Sequence, residues 1–358
     1  MGVWPTPVDR PGTPSTWSRL DRRARIVALL GLGALALATV ATTWLSMRFG
    51  QSPAPIYGSG GAAPAAVWTG DGAGYFVMPG AGAGPYSNNA DMAYDRAHGV
   101  LVLWDHGCGR LVMGFTGGCV EQVNQTWTWD GQRWSAHLSK SAPTETGLGA
   151  MVYDSRLGRV EYVSGAGQAW AWTGSDWLPL TMSGAPRVPA RDSASALSTF
   201  AVGYDEGRRL LVFALSTSTW TWDGGSWTEL KGGIDVADAR GDAHLVYDRA
   251  DGQLLYVGYR STWTWDGTRW QPHDQPPIAS GTLGYDPVRR SVLLVQQDAS
   301  ACDRTACRTT VWAWDSRSWT QLPIDHVPAL PITRSGAFLP PMAFDEARGV
   351  MVLFASAN

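Results

Sequence analysis

Short runs in which apolar and polar residues alternate, broken by Asp and Gly, recur along most of this chain. The clearest is Thr126-Trp127-Thr128-Trp129-Asp130-Gly131-Gln132-Arg133-Trp134, where Trp and Thr alternate with period two ahead of an Asp-Gly turn signal. The spacing Trp-x-Trp-x4-Trp returns at Trp170/Trp172/Trp177, Trp220/Trp222/Trp227, Trp263/Trp265/Trp270 and Trp312/Trp314/Trp319, using 15 of the 20 tryptophans. Such regularity marks a structural repeat. Each Trp-x-Trp segment reads as a strand with Thr outward and Trp inward, and the chain returns through the last Trp as another strand. A two-residue Asp-Gly turn would pair Trp127 with Trp134; a four-residue turn would pair Trp129 with Trp134. Both put the three indoles on one face, where they serve packing between sheets.

A second signature precedes every triplet. Tyr94-Asp95, Tyr153-Asp154, Tyr204-Asp205, Tyr247-Asp248 and Tyr285-Asp286 each lead into an apolar run such as Leu210-Leu211-Val212-Phe213. Two strands joined by a tight, Asp-capped turn are expected there. Four short antiparallel strands repeated around a ring make a β-propeller, so the fold class is all-β. The C-terminal Phe344-Asp345 and Val350–Phe354 supply only the first half of a further copy. Val67-Trp68-Thr69-Gly70 and Tyr75-Phe76-Val77-Met78 supply the missing half. Five complete copies and one shared by the two termini give a six-bladed propeller whose closure removes exposed sheet edges. Tyr75 falls two residues late for the third Trp of the copy at Trp68, so seven blades or an irregular seam is the other reading.

The Tyr-Asp turn, the apolar strand, Trp-x-Trp-Asp-Gly and the closing Trp together resemble bacterial Kelch-type repeats of the kind grouped with the galactose oxidase central domain. The resemblance covers residues 65–358. Where that family carries Gly-Gly after the second strand, this chain has Trp104-Asp105, Ser164-Gly165, Ala214-Leu215 and Gly258-Tyr259. A galactose-oxidase-like copper site would need a Tyr–Cys cross-link, a second Tyr and two His, one from a domain after the propeller. The cysteines here fall in insertions as apparent pairs, so the resemblance implies the fold and no copper site.

Ahead of the repeats, the pattern changes. Ile26 to Met47 is 22 residues without a charge, long enough to cross a bilayer as a helix of about 33 Å. Arg10, Arg19, Arg22, Arg23 and Arg25 flank it on one side and Arg48 alone on the other, which puts the N-terminus in the cytoplasm. The expected organisation is a cytoplasmic tail (1–25), a transmembrane helix (26–47), a flexible Gly/Ala/Pro/Ser linker (48–64) and an extracytoplasmic propeller (65–358). A cleaved signal peptide with Ala36-Leu37-Ala38 as its site is the competing reading, but the apolar run continues past it. The localisation is then the cell membrane, single-pass. Two lysines against 26 arginines, with abundant Ala and Gly, suit GC-rich bacterial coding.

Charge narrows the partners. Residues 1–48 hold six Arg and two Asp while the whole chain is −3, which leaves the remainder at −7. An acidic body lacks the footprint that nucleic acid requires. The six histidines are scattered without zinc-ligand spacing, and no nucleophile elbow or phosphate loop occurs. No metal and no cofactor is expected, and the recurring aspartates read as turn caps.

Function in a repeat scaffold sits where the period breaks. From the Tyr of Tyr-Asp to the first Trp is 16 or 17 residues in copies two to four, but 33 in copy one and 27 in copy five. The two insertions contain all four cysteines, and outside the membrane these read as disulfides, Cys108–Cys119 and Cys302–Cys307 being the favoured pairing of three. Both insertions should stand on one face beside the shared blade. Segments entering the first strands line the pore, and they offer Asn89, Asp91, Arg191, Arg240, His244 and Arg334 as ligand-binding candidates. The expected function is a binding module for a protein or an envelope glycan. The alternative is a carbohydrate-active enzyme, of epimerase or lyase type, using the pore.

Overall fold

The structure is a computed structural model that describes residues 66–70, 75–78, 90–106, 108–111, 119–122, 124–143, 149–165, 167–186, 200–234, 245–258, 261–277, 281–302, 306–324, 330–331 and 340–355. The segments expected to be a tail (1–25), a membrane helix (26–47) and a linker (48–64) lie outside them. Among the described residues every element is a strand, and no helix is long and apolar enough to cross a membrane.

The chain forms a β-propeller. Blade I runs through Ala90–Asp95, Val100–Asp105, Gln125–Trp129 and Trp134–His137, paired antiparallel in that order. Blades II to V repeat the order from first strands Gly149–Asp154, Ala201–Asp205, Leu245–Asp248 and Thr282–Asp286. A closing sheet joins Met342–Asp345 and Val350–Ala355 to Ala66–Gly70 and Tyr75–Met78, with Trp68 opposite Leu353 and Val77. The first strands pack in a cycle: each blade's first strand meets that of the next, blade V's meets Met342–Asp345, and Met342–Asp345 meets blade I's.

The register decides between the two turns left open by the sequence. Trp129 pairs with Trp134, Trp172 with Trp177, Trp222 with Trp227, Trp265 with Trp270 and Trp314 with Trp319. The turn is therefore four residues long. The paired indole centroids lie 5.2–5.4 Å apart, within the range where aromatic pairs add about 0.5–1.5 kcal/mol beyond area burial.

The threonines depart from expectation. Thr126, Thr219 and Thr262 are fully buried, not outward. Both faces of a blade pack against neighbours, so alternation does not separate core from solvent here. Each of these hydroxyls instead accepts a hydrogen bond from the last Trp of the following blade: Trp177 Nε1 to Thr126 (2.7 Å), Trp270 to Thr219 (2.8 Å) and Trp319 to Thr262 (3.4 Å). The hydrophobic clusters are likewise shared between neighbours. Trp134 and Leu103 of blade I pack with Val352 and Phe354 of the closing sheet, and Trp104 of blade I with Tyr162 and Trp177 of blade II.

Candidate functional site

Antiparallel order puts the turns between first and second strands, and those between third and fourth, at one end of every blade. This end is the turn face. Connections from second to third strand emerge at the other end.

On the turn face the repeated Asp is almost fully buried, at 0–3% exposure from Asp95 to Asp345. Its Oδ1 accepts backbone N–H groups of the turn, as from Ala97 (3.0 Å) to Asp95 and from Val288 (2.9 Å) to Asp286. In five of the six its Oδ2 meets a basic side chain two or three residues on, His98, Arg156, Arg208, Arg289 or Arg348, and after Asp248 the position is Asp251. A carboxylate held this way is a turn cap, and it links blades. Arg348 donates to the Asp130 carbonyl of blade I, and Arg208 to the Asp266 carbonyl of blade IV. These arginines lie over the Gly of the Asp-Gly pair. Gly131 and Gly267 have φ of +91° and +96°, and a β-carbon at either would overlap the arginine. In blade V the position is Ser316, also at positive φ, and its partner is Asp251. Where the glycine is missing, the arginine is missing too.

The Tyr of each Tyr-Asp pair points at the turn of the preceding sheet. Ala347 N–H donates to Tyr94 Oη (3.0 Å) and Arg156 N–H to Tyr204 Oη (3.2 Å). Burial pushes the Tyr204 hydroxyl up to about 12.

These first strands surround a central cavity of about 250 Å³, walled by Met92, Met151, Val202, Leu245, Leu283 and Met342. At its turn-face end stand the residues directly after four of the Tyr-Asp or Phe-Asp pairs: Arg96, Glu206, Arg249 and Glu346. They form a closed ring of ion pairs. Arg96 donates to Glu206 and Glu346, and Arg249 donates to the same two carboxylates, each at 2.9 Å. Blades I and III are not adjacent, so the ring crosses the pore. All four side chains are between 24 and 32% exposed. Burial disfavours the Glu206 carboxylate and raises its pKa, which Arg96 only partly offsets. Burial also works against the charge of Arg96, but Glu206 and Glu346 outweigh it and raise its pKa. The Arg96 guanidinium further lies 4.9 Å from the Tyr153 ring centroid, a cation–π distance.

Of the ligand-binding candidates, the structure describes Asp91. It lines the cavity, is 3% exposed, and its Oδ2 lies 3.0 Å from Nε2 of the equally buried His106. Asn89, Arg191, Arg240, His244 and Arg334 lie outside the described residues. The ring was missed in sequence, although a signal existed: the residues after the repeated Asp read Arg, Ser, Glu, Arg, Pro, Glu in blade order. No group of metal-ligating side chains occurs among the described residues.

Both insertions leave from second strands and so share the face opposite the turns. In blade I the insertion contains a hairpin of Cys108–Leu111 with Cys119–Gln122. In blade V the second and third strands themselves extend, as Ser291–Cys302 and Ala306–Trp314, and Leu330–Pro331 adds along the edge. Blades I and V are the two that contact the closing sheet.

No protein-family model and no curated protein matches the chain. Solved structures resemble it distantly. A protein of unknown function from Bacteroides thetaiotaomicron is 13% identical with a TM-score of 0.42, over 81% of this chain and 76% of that one. AofleA from Arthrobotrys oligospora is 11% identical with a TM-score of 0.42, over 85% and 86%. YCF48, bound to a D1 peptide, is 14% identical with a TM-score of 0.36, over 67% and 68%.

Proposed function

We propose that the chain is a membrane-tethered, extracytoplasmic binding module: a Kelch-type propeller of six blades that recognises a protein or an envelope glycan through the face bearing its two insertions. One observation carries this reading. Both departures from the repeat leave from second strands, on the two blades that meet the closing sheet, and so emerge at the same end of the propeller. The opposite face keeps the repeat and ties its charges to one another. The six-blade count is supported by the pairing of Ala66–Gly70 with Val350–Ala355. The anchor is supported by the uncharged run 26–47 and its arginine flank.

The enzyme alternative draws less support. The described charged side chains at the pore, Arg96, Glu206, Arg249, Glu346 and Asp91, are all engaged with partners. Disulfides belong to the same proposal. The register sets Cys302 directly opposite Cys307, and directly paired antiparallel residues have Cα atoms about 4.5–5.5 Å apart, within the span a disulfide bridges. In the blade I hairpin Cys108 stands opposite Gln122 and Cys119 opposite Leu111, so the register supports the Cys302–Cys307 bridge and not the Cys108–Cys119 one. Peptide mapping without reductant tests the two bridges.

The deciding experiment uses the full chain in detergent against a glycan array and immobilised envelope extract. Replacing residues 107–123 by the short connection of blade III, Leu215-Ser216-Thr217, should abolish saturable capture. Capture that survives in that variant, or steady turnover of a sugar by the intact chain, overturns the binding reading.

A further inference from the structure

The ion-pair ring lies on the face that the proposed function leaves idle, and its geometry is that of an occupied anion site. Each glutamate carboxylate bridges both arginines. Oε1 of Glu206 accepts from Arg96 Nη2 and Arg249 Nη2, while Oε1 of Glu346 accepts from Arg96 Nε and Arg249 Nη2, all at 2.9 Å. Two guanidiniums converging on one oxygen from opposite sides of a pore is how a carboxylate or oxyanion is held. Here the chain's own side chains fill the position.

We propose that Arg96 and Arg249 form a binding site for carboxylate and other small oxyanions at the turn-face mouth of the pore, filled in cis by Glu206 and Glu346 at neutral pH and opened in acid when Glu206 leaves it. At neutral pH the ring is balanced, two positive groups against two negative ones, and its own glutamates compete at high local concentration. When Glu206 takes up a proton, two arginines face a single carboxylate across the mouth of the cavity, whose other charged lining residue, Asp91, lies against the buried His106. A free anion then restores the balance.

The neighbouring charges do not supply that balance. Asp248, directly before Arg249, is buried, accepts the Ala250 N–H, and has a pKa raised by burial, so acid neutralises it too, while Asp251 meets Ser316. Asp95, Asp205 and Asp345 in the turns of the same sheets are committed to backbone N–H groups and their own basic partners. Asp154 of blade II is held by Arg156. Tyr153 and Tyr285 face the arginines by their rings. Tyr94 and Tyr247 approach the turns from the remaining sides, with pKa values raised by burial, and so stay neutral in acid.

Burial already favours the protonated form of Glu206, whose pKa lies above the ordinary 4.5. A raised carboxyl pKa adds stability that is complete below the unfolded value and lost as pH rises through the folded one. Protonating Glu206 therefore opens the ring with no folding penalty from this residue.

The test is sulfate binding to the full chain, by calorimetry at pH 4.5 and pH 7. Affinity should be about tenfold to a hundredfold tighter at pH 4.5, the range of a charge-assisted hydrogen bond. Arg96→Gln should remove the acid gain, and the pair Glu206→Gln with Glu346→Gln should bind sulfate at pH 7 as the unaltered chain does in acid. Equal sulfate affinity at both pH values overturns the proposal, as does an acid gain that survives Arg96→Gln. Should the double glutamine chain lose its β-sheet circular dichroism, the pH comparison with Arg249→Gln, which should also lose the acid gain, decides the matter.

Discussion

The two faces of the propeller are made by the same strands and treat the repeat in opposite ways. On the turn face blades I to V all keep the Tyr-Asp element, and the copies interlock: Asp caps the turn, and where an Arg follows, as Arg208 does, it reaches another blade, where a glycine leaves room for it. On the insertion face the connections differ in length, and two of them carry hairpin structure. A repeat can be strict only where neighbouring copies touch through equivalent groups. Loops that touch nothing periodic are free to vary, and there a ligand can be recognised.

The comparison breaks most severely if the shared cement is removed. Trp265 is 1% exposed and packs on Trp270. Trp265→Ala should cost about 3–5 kcal/mol in a denaturant melt, because it deletes a large side chain from between two blades. Gly267→Val should cost about 2–3 kcal/mol, since it forces a β-branched residue to positive φ against the Arg208 side chain. Arg208→Ala in that background should recover the steric part, which a double-mutant cycle measures. If the two substitutions prove additive, the glycine does not serve the arginine.

A smaller effect separates the faces by pH. Hydrogen bonds from Thr268 and Arg269, outweighing the burial that opposes them, lower the Asp266 pKa to about 2. A depressed carboxyl pKa adds stability present above the unfolded value of 3.8 and lost as pH falls through 2. Asp266→Asn should therefore be less stable than the unaltered chain at pH 7, and the gap should close between about pH 4 and pH 2. Smallest of all, shortening the blade I insertion should change stability by less than about 0.5 kcal/mol, as for surface segments outside the core. A large loss of stability there would make the insertion part of the scaffold rather than a recognition surface.

Much of this was legible in the chain. Trp127, Trp129 and Trp134 announced strands, a turn and a common face, and the repeated Asp announced its caps. The half-copies at 66–78 and 342–355 were readable as partners because each lacked what the other had. What misled was Thr126. Alternation is a guide to burial when one sheet face meets water, and in a propeller neither face does. The Arg96–Glu206–Arg249–Glu346 ring was hidden for another reason. Its members are separated by up to 250 residues, and no local pattern says which turns meet across a pore.

Sequence alone determined the all-β class, the period and the positions where the period fails, because those depend on local alternation, turn chemistry and repetition. Tertiary structure alone decided the four-residue register of the Trp turn, the burial of the threonines between blades, and the pairing of the charges after the repeated Asp. Each of those is settled by which surfaces come into contact once the sheets stand side by side.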